Sequence, residues 1–264
     1  GACTRSADET SLDCPTVDGV GSNLGFKVSV NSEPFSTVST GVVSYAAPVI
    51  SSAAVNGGGT LSTSGTSKTV NFVGENFGPI STVVTATYGG TDGLKYGSGS
   101  FGSITCSVQT DHTNLQCITT VPGVGADIKW IITVASQSNN PLFQSTVAYT
   151  APRLDQISGK LVAGSSLGTT GGGTVMVLTG ANFGPDGAAD VGASYGTYNA
   201  DLCTVTSQTK IECTTVAGVG ANLQWSIIVG GQSAGPLASP TSYAAPVISS
   251  AAVNGGGTLS TSGT

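Results

Sequence analysis

The sequence repeats itself, and that limits what it can fold into more than any other feature. Ser44 to Thr66 reads SYAAPVISSAAVNGGGTLSTSGT, and Ser242 to Thr264 is the same over all 23 residues, at an offset of 198. A shorter copy of its start lies between them at Tyr149-Thr-Ala-Pro152. The three prolines, Pro48, Pro152 and Pro246, are 104 and 94 residues apart. Each interval suits one β-sandwich of about 100 residues. Repetition at a fixed period marks a chain built from stacked units, each leaning on its neighbours.

Other segments recur in phase. Gly74-Glu-Asn-Phe-Gly78 matches Gly180-Ala-Asn-Phe-Gly184. Thr119-Thr-Val-Pro-Gly-Val-Gly125 matches Thr214-Thr-Val-Ala-Gly-Val-Gly220, with a third copy at Pro15-Thr-Val-Asp-Gly-Val-Gly21. Trp130 and Trp225 take equivalent places, and Phe26 takes that place in the first copy. The phasing divides the chain into residues 1–47, the C-terminal half of a unit; 48–151 and 152–245, two complete units; and 246–264, the first strands of a further unit. No linker separates them. The last strand of one unit runs through Ala-Pro into the first strand of the next, and proline fixes φ at the junction.

Each unit reads as all-β. Val, Ile and Thr recur in short runs between glycines, and no stretch carries a 3.6-residue apolar period. The expected fold is a linear array of tandem immunoglobulin-like sandwiches. Charged residues make up only 8% of the chain and the net charge is −6. The eight Lys and Arg residues are scattered, so the clustered basic face that nucleic-acid binding requires is missing. No apolar run is long enough for a transmembrane helix.

The six cysteines form three pairs at one place in the repeat: Cys3 with Cys14, Cys106 with Cys117, Cys203 with Cys213. The spacing suits neighbouring strands joined by a turn, so three disulfides are expected, and with them an oxidising compartment outside the cytosol. Zinc would need closer ligand spacing and more histidine than the single His112.

Together these motifs resemble the IPT/TIG family of immunoglobulin-like domains. That pattern runs from a Pro-x-Ile start to a Gly-Gly-Thr before a β run, a Gly-x-Asn-Phe-Gly turn, then Cys, a hairpin, Cys and a Thr-rich segment. The third unit carries Gly172-Gly-Thr174, Val175-Met-Val-Leu-Thr179, Gly180-Ala-Asn-Phe-Gly184, Cys203 and Ile211-Glu-Cys213-Thr-Thr. The second departs from it, because a Ser/Thr/Gly insertion separates Gly58-Gly-Thr60 from the strand at Lys68–Val73. The resemblance implies a two-sheet sandwich and leaves function open.

No residue points to catalysis, a cofactor or a metal. His112 lies in the hairpin between Cys106 and Cys117 with no counterpart in the other repeats, and is read as a loop residue. Gly57-Gly-Gly59 and Gly171-Gly-Gly173 precede strands, not helices, and are read as turns, not phosphate loops. The seams carry almost no acids to hold calcium. Trp130 and Trp225 alternate with apolar neighbours and are read as core. Asn-x-Ser/Thr sequons are absent, whereas abundant Ser and Thr make O-linked glycans an expected partner.

The expected function is a structural component of an extracellular filament or surface stalk, non-catalytic, secreted or on the cell surface. The alternative is an adhesin or receptor-type module that binds a protein or glycan. Two arrangements place the partial units. The expected one is a window on a longer repetitive chain. In the other, residues 246–264 of one copy supply the opening strands that residues 1–47 of the next copy lack, by head-to-tail strand addition.

Overall fold

A computed structural model describes residues 2–31, 33, 36–39, 43–89, 104–159, 167–188 and 190–259. Residues 260–264, the end of the expected opening strands, lie outside the described residues. Every regular element among the described residues is a strand.

Among the described residues of 1–47, β1 (Thr4–Arg5) pairs with β2 (Leu12–Asp13) in a short hairpin, and Leu24 bridges antiparallel to Val43. Among the described residues of this segment none is in the buried apolar core, and Phe26 stays exposed rather than taking the core place of a tryptophan.

Then come β3 (Val49–Val55), β4 (Lys68–Glu75), β5 (Val84–Gly89), β6 (Ile104–Thr110), β7 (Asn114–Thr119), β8 (Lys129–Val134), β9 (Gln137–Ser138) and β10 (Phe143–Gln144). They lie in one antiparallel sheet, in the order β10-β8-β5-β6-β7-β4-β3, with β9 on β8. Pairing of Val84 with Cys106 joins β5 to β6, and the sheet folds over its own core. Alternate residues point inward, as the pleat requires: Val70 and Phe72 on β4, Leu115 and Cys117 on β7, Trp130, Ile132 and Val134 on β8.

A second sandwich repeats the plan as two separate sheets. One holds β11 (Arg153–Gly159), β12 (Val175–Ala181), β16 (Lys210–Thr214) and β15 (Asp201–Ser207), in that spatial order. The other holds β14 (Tyr198–Asn199), β13 (Val191–Tyr195), β17 (Trp225–Val229) and β18 (Gln232–Ala234). Met176, Leu178, Tyr195, Ile211, Trp225, Ile227 and Val229 fill its core. The first strands of both sandwiches carry a bulge at the same place, Ile50/Ser52 and Leu154/Gln156.

Both tryptophans are fully buried. Each stacks on a tyrosine of the adjacent strand at 4.3 Å between ring centres: Trp130 on Tyr88, Trp225 on Tyr195. Each indole N–H donates to a hydroxyl, Ser145 Oγ at 3.0 Å and Thr241 Oγ1 at 2.9 Å. A buried indole without such a partner would be destabilising. Three disulfides, Cys3–Cys14, Cys106–Cys117 and Cys203–Cys213, pin the hairpins. Cys106 and Cys117 stand directly opposite in the β6–β7 register.

Candidate functional site

The two junctions, before Pro48 and before Pro152, are built from the same parts, and the parts come from the motifs that repeat. Gly-x-Asn-Phe-Gly supplies four of them. Gly74 and Gly180 let the first strand of the sandwich approach; an added Cβ would stand 2.1 Å from the Val49 carbonyl oxygen or 1.9 Å from that of Arg153. Asn76 and Asn182 adopt positive φ, which asparagine tolerates. Their side-chain amides donate at 3.0 Å to the Ala47 and Ala151 carbonyls, just before the seam prolines. Phe77 and Phe183 are fully buried plugs. Gly78 and Gly184, at φ 86° and 87°, leave an open socket.

The preceding Gly-Val-Gly loop fills that socket. A Cβ on Gly78 would lie 2.6 Å from Val20 Cγ1, and one on Gly184 would lie 2.4 Å from Val124 Cγ1. Val124 is 2% exposed and belongs to the core of the second sandwich, although its loop follows β7 of the first. The valine is a knob seated where only glycine leaves room.

A glutamine closes each seam. Gln137 Nε2 donates to the Tyr45 carbonyl at 2.9 Å, and Gln232 Nε2 to the Tyr149 carbonyl at 3.2 Å. Gln232 also accepts from the Gly125 N–H at 3.3 Å. The tyrosines are tied down in turn: the hydroxyls of Tyr45, Tyr149 and Tyr243 donate to the carbonyls of Val17, Val121 and Val216. Burial pushes the phenols of Tyr149 and Tyr243 well above the ordinary tyrosine range, and their Tyr88 and Tyr195 neighbours add to it.

The tip of the disulfide hairpin leans back across each seam. His112, at the first tip, has Nε2 3.9 Å from Asp18 Oδ1, on the surface. Its backbone accepts from the Phe77 N–H and donates to the Gly78 carbonyl, so it is a turn residue at positive φ. Gln208, at the second tip, donates to the Thr63 carbonyl at 2.6 Å and accepts from the Thr63 hydroxyl at 2.8 Å. The Ser/Thr/Gly insertion of the second unit thus lies in the seam: Leu61 is buried and bridges to Tyr149, and Thr63 reaches across.

Gly57, Gly58 and Gly59 form an open turn at positive φ; Gly172 and Gly173 also have positive φ, but Gly172 lies against the backbone, where an added Cβ would stand 2.4 Å from the Val216 carbonyl carbon. Among the described residues no three His, Cys, Asp or Glu side chains converge on a common point. The sequence motifs marked the Gly-x-Asn-Phe-Gly and Gly-Val-Gly loops but not that they meet across the seam. The glutamines went unmarked; their common position, three residues after the last apolar residue of the tryptophan strand at 134 and 229, was the available signal.

Solved structures that resemble the chain include three aligned at low identity. SGBP-B from a complex xyloglucan utilization locus in Bacteroides uniformis aligns at 16% identity and a TM-score of 0.27, over 72% of this chain and 48% of that one. The plexin A4 full extracellular region aligns at 18% and 0.31, over 75% and 18%. Invasin, a bacterial integrin-binding protein, aligns at 15% and 0.30, over 74% and 39%. This chain spans less than half of each. No curated protein matches it. A family model described as IPT/TIG domain matches residues 164–243, which cover most of the second sandwich and its tryptophan, disulfide and tyrosine. Residues 164–243 thus match the IPT/TIG domain, whose fold is immunoglobulin-like, and the all-β fold described above agrees with that match.

Proposed function

We propose that the protein is a structural component of an extracellular filament or surface stalk, built from tandem immunoglobulin-like units at residues 48–151 and 152–245. Residues 1–47 and 246–264 belong to the units on either side. The observation that carries the reading is recurrence. The knob, the socket, the asparagine and the seam glutamine occupy matching places at both junctions. A joint that repeats stereochemically propagates a fixed step and makes a rod; a flexible linker would not.

Three disulfides support an oxidising location, outside the cell or on its surface. With 8% charged residues, solubility falls to hydroxyls, and O-linked glycans on exposed Ser and Thr would reinforce it. The function needs no catalysis and no cofactor. Small-angle scattering of the chain in solution tests the reading. The expected outcome is an elongated particle whose cross-section is that of one sandwich; a compact globule would sink the proposal.

A second reading, a module that binds a protein or glycan, draws on an open cleft of about 620 Å³ at the second seam. Thr60, Ser62, Thr63, Asn182, Gln208 and a single charge, Lys68, are among its lining residues. Hydroxyls and amides with little charge suit a neutral sugar. A glycan array probed with the intact chain checks it: binding lost in Gln208→Ala supports the cleft, and no binding to any glycan removes the glycan case.

A further inference from the structure

Asn56 and Gly57 stand together in the turn between β3 and β4. In an Asn-Gly pair the glycine nitrogen can reach the asparagine side chain, because no Cβ on the following residue blocks the approach. The turn is closed by the Gly58 N–H on the Val55 carbonyl at 2.9 Å, and the Asn56 N–H is held by the Thr69 carbonyl at 2.8 Å. Among the described residues no acceptor takes the Gly57 N–H. Asn56 is exposed, and nothing lies within 4 Å of where a Cβ on Gly57, Gly58 or Gly59 would stand. Water and hydroxide therefore have access to the Gly57 nitrogen.

A second amide lies against the first. Asn71, on β4, donates from Nδ2 to Asn56 Oδ1 at 3.3 Å. Gln116, directly opposite Asn71 on β7, donates from Nε2 to Asn71 Oδ1 at 3.0 Å and so turns the Asn71 N–H toward Asn56. A row of three amides thus ends in a donor aimed at one carbonyl oxygen.

We propose that Asn56 is a self-modifying site, which converts without an enzyme to aspartate and isoaspartate, and that Asn71 promotes the step. Hydroxide removes the Gly57 amide proton, and the nitrogen attacks Asn56 Cγ. A C–N bond forms, and the carbonyl electron pair moves onto Oδ1. That oxygen gains negative charge as the barrier is climbed, so the Asn71 N–H holds it more strongly than it held the neutral carbonyl. The intermediate collapses, the bond to Nδ2 breaks, and Nδ2 takes a proton from water and leaves as ammonia. Water then opens the cyclic imide at either carbonyl. One opening gives aspartate at position 56; the other routes the main chain through the side-chain carbon and gives isoaspartate. The only co-reactant is water, and nothing is oxidised or reduced.

The product carries a carboxylate where a neutral amide stood, in a chain whose formal net charge is −6. In the isoaspartyl form the turn is longer by one main-chain carbon, next to the buried Val55 that ends β3. The site therefore records the age of the molecule in charge and in the end of the first strand. This holds however the units assemble.

Incubation of the 264-residue chain at mildly alkaline pH, with samples reduced, digested with trypsin and sequenced by mass spectrometry, tests the proposal. The peptide from Val28 to Lys68 reports Asn56, and the peptide that follows Lys210 reports Asn254-Gly255, the same dipeptide elsewhere in the chain, as reference. Conversion is expected at Asn56, in two products of equal mass that separate on the column, at a rate that rises with hydroxide concentration. Asn71→Leu, which keeps the size and removes the donor, is expected to slow it by about 2–10-fold, the factor that one neutral hydrogen bond supplies. Asn71→Asp, which also sets a negative charge beside the developing one, is expected to slow it further. Asn254 is expected to convert at one rate in all three chains, and thermal melts of the variants verify that the fold is kept. An Asn56 that stays an amide, or one that converts in Asn71→Leu as fast as in the parent or faster, overturns the proposal.

Discussion

Tyr149 is buried at the base of the second seam, with its hydroxyl bonded to the Val121 carbonyl and near that of Tyr88. Burial raises the phenol pKa of Tyr149, Tyr88 and Tyr243 above the ordinary value near 10. A folded-state pKa above the unfolded one means that the unfolded chain gives up its proton first. The stability from these groups is therefore fully present below about pH 10 and is lost as pH rises from there toward the raised folded values. After a rapid jump to alkaline pH, tyrosinate absorbance is expected to appear in two phases. Exposed phenols ionise at once, and these three ionise only with unfolding, at the rate of loss of tryptophan fluorescence. Ionisation of all seven tyrosines in one fast phase would contradict the buried placement. Gly184 gives a second test at this scale. A side chain there would be strained at φ 87° and would meet Val124, so Gly184→Val is expected to destabilise the second sandwich by at least 1–2 kcal/mol, roughly the cost of a left-handed non-glycine residue. Urea unfolding measures it.

The disulfide hairpin is the element that sets the seam, because its tip carries Gln208 and its base pairs with β12. Cys203 and Cys213 are 10 residues apart. Closing so short a loop in the unfolded chain is worth roughly 2–3 kcal/mol. Cys203→Ala with Cys213→Ala is expected to cost that much in urea unfolding of the second sandwich; a change within error would mean that the cross-strand contacts alone carry the hairpin. Much of this element was legible in the sequence. Paired cysteines in phase, β-branched runs and the tryptophan positions pointed to strands, hairpins and core, because local pairing and alternation leave a local pattern. The tyrosines that stack on the tryptophans were not legible. Tyr88 and Trp130 are 42 residues apart, and only the β5–β8 register brings them together. Nor was the socket: Gly184 looks like any turn glycine until Val124, 60 residues earlier, is seen to occupy it.

Across the whole molecule, the consequence of the seam is coupling. Val124 follows a strand of the first sandwich but is buried in the core of the second. Gln232 belongs to β18 of the second sandwich but bonds backbone groups at Tyr149 and Gly125. Unfolding either sandwich therefore strips contacts from the other, and a nearest-neighbour interface of this kind joins their transitions. Val124→Asp would place a carboxylate in a buried apolar socket, and Gln232→Ala would remove the two hydrogen bonds that this glutamine makes across the seam. Each lesion is worth about 1–3 kcal/mol, and because they touch the same loop their effects need not add. In scanning calorimetry the parent chain is expected to show one main transition for the two sandwiches. The double variant is expected to split it, the part belonging to residues 152–245 melting first because its core lost the knob. Its two transitions should then occur at temperatures insensitive to a further change at the same seam, such as Gln208→Ala, which removes only the contact to Thr63. Two resolved transitions already in the parent chain would mean that the sandwiches fold independently, and the proposed rod would then have only the proline joints to stiffen it.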